Sequence, residues 1–187
     1  MTRRLVLVRH AKSDYPWGVD DHERPLNDRG RRDAPEIGRW LDAHLRWEGR
    51  PAPHVWVSSA KRAQQTWALA SNVLSTRWDS RHQRSEPRIY EASASALIGL
   101  VDEAATAVGT LILVGHNPGL VSFIARVCTQ DEVSLAATAK FATSAIAVLE
   151  GDGDWPMATA ERGSFRVTAF AVPRGRGPEA EGSRASG

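Results

Sequence analysis

The sequence predicts an α/β fold, a three-layer sandwich in which helices flank a mostly parallel central sheet. Short apolar runs of strand length alternate along the chain with segments whose apolar residues recur at helical spacing. Polar residues follow two of these runs directly, as they do at the carboxyl edge of a parallel sheet. At 187 residues, 42% of them hydrophobic, the chain is long enough for one domain with a substantial core. We expect this domain to cover residues 1–172.

The first strand and helix are marked by an apolar run and a capping residue. Residues 5–8 are all apolar, which is typical of a strand that is buried on both faces. After a polar segment, Asn27 can cap a helix whose apolar stripe runs through residues 37–45. Pro35 lies within this helical span, so we expect either a kink or a later start of the helix.

The next elements are a second strand–helix pair and a short strand. Residues 55–58 predict the second strand, and Ser59 can cap a helix with an apolar stripe at residues 63–74. Residues 88–90 predict a short strand.

A further helix, a buried strand and a hairpin complete the predicted domain. Apolar residues recur at helical spacing over residues 97–108 and predict a helix before an apolar strand at 111–114. Asn117 followed by Pro118 predicts the start of the next helix. Two later strands, at 145–149 and 164–170, are predicted to pair with each other. Residues 173–187 are rich in Pro, Gly, Arg, Ala, Glu and Ser, so we expect a disordered tail.

Composition excludes several classes of protein. A single cysteine, Cys128, excludes a disulfide scaffold and a cysteine-rich metal cluster, and it fits a reducing compartment. No secretory or membrane-spanning segment is recognisable, so we expect a cytoplasmic protein without a membrane partner. The 24 basic residues are scattered among 22 acidic ones without a contiguous basic face, which argues against nucleic-acid binding.

Two arginines and two histidines are predicted to meet at one edge of the sheet. Arg9 and His10 directly follow the first strand, and His116 follows the strand at residues 111–114. Arg62 lies in the first turn of the helix after the second strand. Because the carboxyl ends of parallel strands share one edge, these side chains can converge on one crevice.

The residue types in this group favour a phosphoryl ligand. A guanidinium is always charged and matches phosphate oxygens with a planar fork of donors. The amides at the helix start after Asn117 add a favourable dipole for an anion. A neutral imidazole is available at pH 7 as a nucleophile toward phosphorus, and the second imidazole can stabilise the equatorial oxygens. These cationic groups supply the charge themselves, so we expect neither a metal nor another cofactor.

Three segments in chain order resemble the histidine phosphatase superfamily, which has the phosphoglycerate-mutase-like fold. They are Arg9-His10, residues 58–66 (SSAKRAQQT) and residues 114–118 (VGHNP). Together with residues 24–30 (RPLNDRG), they are most similar to the small phosphohistidine phosphatases of the SixA type. The resemblance covers roughly residues 5–150.

The resemblance implies a role for each matched residue. His10 would be phosphorylated transiently as the nucleophile, and Arg9, Arg62 and His116 would form the phosphate pocket, with Asn117 as a further substrate-binding residue. Glu91 is the best positional candidate for the general acid, and Asp14 is the alternative. Ala11 stands where most of the superfamily has glycine.

The resemblance and the spacing together favour a metal-independent phosphatase that acts on phosphohistidine in proteins. The 44 residues at positions 67–110 leave little chain for a lid, so we expect an open site whose basic rim is formed by Lys12 and Arg24. The partner would be a phosphorylated protein or a small phosphorylated metabolite. Two alternatives stay open at this point: a small-molecule phosphomonoesterase of the same fold, and a non-catalytic module that binds phosphorylated protein.

Overall fold

The computed structural model of the chain describes residues 2–45, 51–74, 80–156 and 162–176. These residues form six strands and five helices of the α type, with three short 3₁₀ turns between them. The strands are β1 (Thr2–Arg9), β2 (His54–Ser58), β3 (Gln83–Glu86), β4 (Thr110–Gly115), β5 (Ile146–Asp152) and β6 (Phe165–Ala171). The helices are α1 (Asp28–His44), α2 (Lys61–Ser71), α3 (Ala94–Asp102), α4 (Gly119–Val127) and α5 (Glu132–Lys140).

All six strands belong to one sheet in the order β3-β2-β4-β1-β5-β6. The pairs β3–β2, β2–β4 and β4–β1 are parallel, whereas β1–β5 and β5–β6 are antiparallel. This arrangement confirms the predicted α/β sandwich with a mostly parallel sheet. The predicted pairing of the last two strands is confirmed as well.

Alternation along β1 shows why the sheet is covered on both faces. Leu5 and Leu7 pack into the hydrophobic cluster that contains α3 and α4, whereas Val6 and Val8 pack into the cluster that contains α1 and α2. All four side chains are fully buried. Each such side chain contributes about 1.5–3 kcal/mol through burial, so β1 is a well-anchored support for the residues that follow it.

The first two helices start at positions that partly differ from the sequence prediction. The Asn27 side chain accepts from the Gly30 amide, which confirms Asn27 as the cap of α1. The helix is assigned without interruption from Asp28, so the later start that Pro35 predicted is wrong. Ser59 does not cap α2, because Ala60 holds the cap position and the Ser59 hydroxyl bonds with His22 Nε2 instead.

Two further local predictions need correction. Residues 88–90 do not form a strand: β3 ends at Glu86, whose carboxylate accepts from the Arg88 amide and caps a 3₁₀ turn at Pro87–Ile89. Asn117 does not cap α4, because its Nδ2 donates to the Phe141 carbonyl and Pro118 holds the cap position. Helix α5, which was not predicted, is capped by the Asp131 side chain.

The chain after β6 runs back over α1. Arg174 Nη1 and the Gly175 amide donate to the two oxygens of the buried Asp33 carboxylate, each at 3.0 Å. Arg174 and Gly175, which lie beyond the predicted boundary at residue 172, therefore contact α1, and residues 177–187 of the predicted tail lie outside the described residues. Among the helices of the described residues, none has the length and hydropathy needed to cross a bilayer.

A close approach of α1 to α2 gives a test of the packing. A Cβ built on Gly38 would lie 2.1 Å from the Ala70 carbonyl oxygen, so Gly38→Ala forces the two helices apart. We expect a loss of about 1–3 kcal/mol in the free energy of unfolding, measured by urea denaturation. Gly99→Ala in α3 is the control, because nothing lies within 4 Å of its added Cβ. That variant should be more stable by about 0.5–1 kcal/mol, and equal effects of the two substitutions would contradict the packing.

Candidate active site

Two neighbouring parallel strands bring His10 and His116 together. Arg9 at the end of β1 pairs with Gly115 at the end of β4, so the residues that follow emerge side by side. The two imidazole rings have centroids 4.9 Å apart and are tilted by 51°. Both side chains are largely buried, with 7% of His10 and 9% of His116 exposed. The predicted convergence of these two residues is therefore present in the structure.

The hydrogen bond of His10 fixes which ring nitrogen is reactive. Nδ1 lies 2.7 Å from the backbone oxygen of Ala11. Because a carbonyl oxygen only accepts, Nδ1 must carry the hydrogen, and the lone pair of the neutral ring is on Nε2. Burial, assisted by His116 and by the positive charges of Arg62 and Arg9, lowers the pKa of His10 to about 3. The ring is therefore neutral at pH 7, as a nucleophile must be.

His116 is placed to interact with an anion. Burial and the neighbouring Arg62 lower its pKa to about 4, and the negative charge of Asp21 opposes this shift. Its Nε2 lies 2.8 Å from the Ser58 hydroxyl oxygen, and its Nδ1 has no hydrogen-bond partner among the described residues. When Ser58 donates to Nε2, Nδ1 carries the hydrogen and is free to donate to a phosphoryl oxygen.

Both arginines lie close enough to act on the two histidines. The positive charges of Arg9 and Arg62 each contribute to lowering the pKa of His10 and of His116, so both guanidinium groups lie near the two rings. Arg9 Nη1 donates to the Phe141 carbonyl at 2.8 Å, and burial lowers the pKa of its guanidinium. Only 6% of Arg62 is exposed. The buried side of the site, formed by Arg9, Arg62 and the two histidines and called its floor below, is therefore cationic.

Thr66 connects the loop after β1 to α2. Its hydroxyl accepts from the Ala11 amide at 3.0 Å and donates to the Arg62 carbonyl at 2.6 Å. The Ala11 methyl packs with Leu26 and Ala34 in a small apolar cluster. The fully buried Ala11 is therefore accommodated, and the His10 backbone is held by contacts on both sides.

A crevice of about 610 Å³ opens over the Arg62 and His116 side of the floor. Glu91 lines this crevice and is exposed, so the structure places the general-acid candidate beside the predicted phosphate pocket. Its backbone has a φ of 53°, a conformation that is uncommon for a glutamate. Asp14, the alternative acid, lies with Asn27 and Asp28 at the start of α1 and does not line this crevice.

Asp21 belongs to the site although the sequence analysis did not select it. Its carboxylate accepts from Arg24 Nη1 and, at 2.9 Å each, from Arg62 Nη2 and the Tyr90 hydroxyl. Burial opposes ionisation, but these hydrogen bonds outweigh it and lower the pKa of Asp21 to about 2. The available signal was its position three residues before Arg24, the first residue of the segment at 24–30 that resembles the family.

Of the other predicted binding residues, Arg24 lies in a different setting than expected, whereas Lys12 and Asn117 make contacts that the sequence did not predict. Arg24 does not form an exposed rim: it is 9% exposed, and its donors bond Ser13, the Asp14 carbonyl and Asp21. The Lys12 ammonium lies over the Tyr15 ring, 5.8 Å from its centroid. Asn117 lines the crevice, but its amide nitrogen is bonded to the Phe141 carbonyl. Across the described residues, no group of three or more His, Cys, Asp or Glu side chains is arranged to hold a metal ion.

Comparisons with known proteins agree on one family. The family model described as histidine phosphatase superfamily (branch 1) matches residues 5–108. The uncharacterized protein Rv1276c of Mycobacterium tuberculosis is 39% identical over 172 residues, which cover 89% of this chain and 100% of that protein.

Two solved structures share the fold over nearly their whole length. One is a candidate phosphohistidine phosphatase SixA from Nakamurella multipartitia, with a TM-score of 0.77 and 26% identity. The match covers 92% of this chain and 97% of that one. A candidate SixA from Agrobacterium tumefaciens has a TM-score of 0.71 and 26% identity, and the match covers 91% and 99% of the two chains.

The lowered pKa values of the two histidines predict a pH-dependent stability. Below the ordinary histidine pKa of about 6.5, the unfolded chain takes up protons that the folded His10 and His116 do not. As the pH is lowered, the free energy of unfolding therefore falls. The contribution of His116 stops falling near pH 4 and that of His10 near pH 3, where the folded residues themselves become protonated. When the pH is lowered from 7 to 5, each of the two histidines should reduce the free energy of unfolding by about 2 kcal/mol.

Urea denaturation of His10→Gln at these two pH values tests this dependence. The loss of stability on going from pH 7 to pH 5 should be smaller than in the unchanged protein by about 2 kcal/mol. His44→Gln, which removes an exposed histidine at the end of α1, should keep the full loss. An equal loss in all three proteins would show that His10 is not held neutral by the fold.

Proposed function

Because the chain belongs to the histidine phosphatase superfamily and to its SixA type, we propose that it is a phosphatase that works through a phosphohistidine at His10. Its substrate in this proposal is phosphohistidine on another protein. The observation that carries the mechanism is the bond between His10 Nδ1 and the Ala11 carbonyl, because it presents Nε2 as the nucleophilic atom. Burial keeps this nitrogen unprotonated at neutral pH.

In the first step, His10 Nε2 attacks phosphorus and the bond from phosphorus to the leaving group breaks. Charge on the equatorial oxygens is stabilised by the guanidinium groups of Arg9 and Arg62 and by His116 Nδ1–H. These groups are fixed before substrate arrives: Arg9 is bonded to Phe141, and His116 is bonded to Ser58. Little reorganisation is therefore required when the phosphoryl group is transferred.

In the second step, water attacks the phosphorylated His10, and the N–P bond breaks to release inorganic phosphate. The charge is again stabilised by side chains of this chain, so we propose that no metal ion takes part. An exposed acid at the crevice, Glu91, can deliver a proton to a leaving oxygen and take one from the attacking water.

The shape of the site favours a phosphorylated protein over a small metabolite. Residues 80–93 form β3, the 3₁₀ turns Ser80–His82 and Pro87–Ile89 and a short turn, with no α-helix among them. Of these residues, Glu91, Ala92 and Ser93 line the crevice. A phosphorylated side chain can therefore approach from the open side. The SixA-type structures named above are described as candidate phosphohistidine phosphatases, which supports the same substrate class.

Phosphoryl transfer to His10 is tested by trapping the intermediate. A radiolabelled phosphohistidine peptide, mixed with the enzyme and quenched rapidly in the presence of EDTA, should leave an acid-labile, base-stable label on His10. His10→Gln should lose at least about 10³-fold in turnover, as expected when the nucleophile is removed. His44→Gln is the matched control and should label normally.

Turnover by His10→Gln at the normal rate would refute the mechanism. A preference of a hundredfold or more for sugar phosphates over the phosphohistidine peptide would refute the proposed substrate and favour the phosphomonoesterase alternative. Tight binding of phosphopeptide without turnover in the unchanged protein would favour the non-catalytic binding module.

The left-handed backbone at Glu91 predicts opposite effects on stability and activity. Glu91→Gly relieves the unfavourable φ of 53° and should raise the free energy of unfolding by about 1 kcal/mol. The same change should lower turnover of a phosphomonoester such as phenyl phosphate by about 10²-fold, because the proton donor is lost. Glu91→Gln is the control: it should lose similar activity without the gain in stability. Unchanged activity in both variants would exclude Glu91 as the acid.

A further inference from the structure

We propose that Asp21 determines the substrate class by recognising a cationic nitrogen leaving group, so that the enzyme prefers N-phosphorylated side chains to phosphomonoesters. This inference rests on the proposed function and assigns the other half of the site, the part that contacts the group from which phosphate is removed. Asp21 lies in a 3₁₀ turn, Asp21–Glu23, that packs near the start of α2.

The Asp21 carboxylate is held in a fixed orientation. Oδ1 accepts from Arg24, while Oδ2 accepts from Arg62 at 2.9 Å and from the Tyr90 hydroxyl at 2.9 Å. The Tyr90 ring lies edge-on to His116, with centroids 5.7 Å apart. The carboxylate therefore bonds directly to Arg62 of the phosphate pocket, and Tyr90 links it to His116.

The carboxylate keeps the capacity to bind a ligand. An ionised carboxylate has about four acceptor positions, and three described donors occupy Asp21, two of them on Oδ2. The side chain is 48% exposed and lines the crevice with Arg62 and His116. Oδ1 can therefore accept one more hydrogen bond from a group that enters the crevice.

The charges in the crevice are separated by depth. Arg9, Arg62 and the two histidines lie at the carboxyl edge of the sheet, largely buried, whereas Asp21 is half exposed beside them. A substrate that fits this arrangement has an anionic phosphoryl group and a positively charged group attached to it. Phosphohistidine protonated on its second ring nitrogen has this distribution of charge, whereas a phosphorylated sugar acid has negative charge at both ends.

The chemistry of the leaving group gives Asp21 a role in the transfer. In the protonated substrate, the second ring nitrogen donates its N–H to Asp21 Oδ1. As the bond from phosphorus to His10 Nε2 forms, the substrate P–N bond breaks and its electron pair returns to the leaving nitrogen. The cationic ring thereby leaves as neutral imidazole with the N–H it already had. No proton has to be delivered, so an aspartate that is ionised at neutral pH is sufficient.

A phosphomonoester gains nothing from the same carboxylate. Its leaving oxygen becomes more negative as the P–O bond breaks, and the fixed charge of Asp21 opposes that change. If Asp21 served only to hold Arg62 in place, its loss would slow all substrates by the same factor. The ratio of activities on the two substrate classes therefore separates recognition from positioning.

The test compares kcat/KM for a phosphohistidine peptide and for p-nitrophenyl phosphate in the unchanged protein and in Asp21→Asn. The amide keeps the size of the side chain, but in the observed geometry its single oxygen accepts from only one of the two arginines, so activity on both substrates should fall. We expect the fall to be at least tenfold larger for the phosphohistidine peptide than for p-nitrophenyl phosphate. Asp21→Ser also removes the charge but leaves a side chain of a different shape. It should change the ratio of phosphohistidine to nitrophenyl activity in the same direction.

Asp20→Asn is the matched control, because it removes an exposed carboxylate from the adjacent residue and should keep the original ratio. An equal loss on both substrates in Asp21→Asn, or no change on either, would overturn the inference. Labelling of His10 in the unchanged protein is measured in parallel. Absence of the label would refute the proposed function and this inference with it, whereas a normal label with an unchanged ratio would refute the inference alone.

Discussion

The parallel pairing of β1 with β4 is the constraint on which the site depends. All of β4 and residues 5–8 of β1 are buried, and the last residues of the two strands, Arg9 and Gly115, are in register. His10 and His116 therefore leave the sheet at the same level, and the His10 amide donates to the Gly115 carbonyl at 3.1 Å. A slip of one residue would exchange the leucines and valines of β1 between the two hydrophobic clusters. The packing of both layers therefore fixes the register that brings His10 beside His116.

The same burial that fixes the two imidazoles makes the site favourable for an anion. Burial first, and then the two nearby guanidinium groups, disfavour protonation of the rings, which accounts for the low pKa values of both histidines. A bound phosphoryl group supplies the missing negative charge and removes part of the repulsion. Binding of the phosphoryl group and the electrostatic state of the free site are therefore two consequences of one arrangement of charges.

The sequence allowed the floor of the site to be predicted, but not the positions of Asp21 and Arg24. His10 and His116 each follow an apolar strand directly, so the parallel sheet alone determines where they lie. Arg24 and Asp21 depend instead on how residues 13–27 fold back, through the Ser13–Leu26 bridge and the hydrogen bonds of the Arg24 guanidinium. A buried arginine and an exposed one look the same in a sequence, which is why Arg24 was expected at the rim.

This division also separates the two tasks that we propose for the site. In the proposal, the floor, which is built from strand ends and the start of α2, binds the phosphoryl group that all substrates share. Asp21 is held by Arg24, whose guanidinium stacks on Tyr15 at 3.3 Å, and so belongs to the loop between β1 and α1. Residues 13–27 of this loop hold Asp21 but not His10, so we propose that a change within them can alter the substrate class while phosphoryl transfer to His10 is preserved. In this proposal, substrate selection and chemistry are encoded in different parts of the chain, which are joined by the hydrogen bonds from Arg62 and Tyr90 to Asp21.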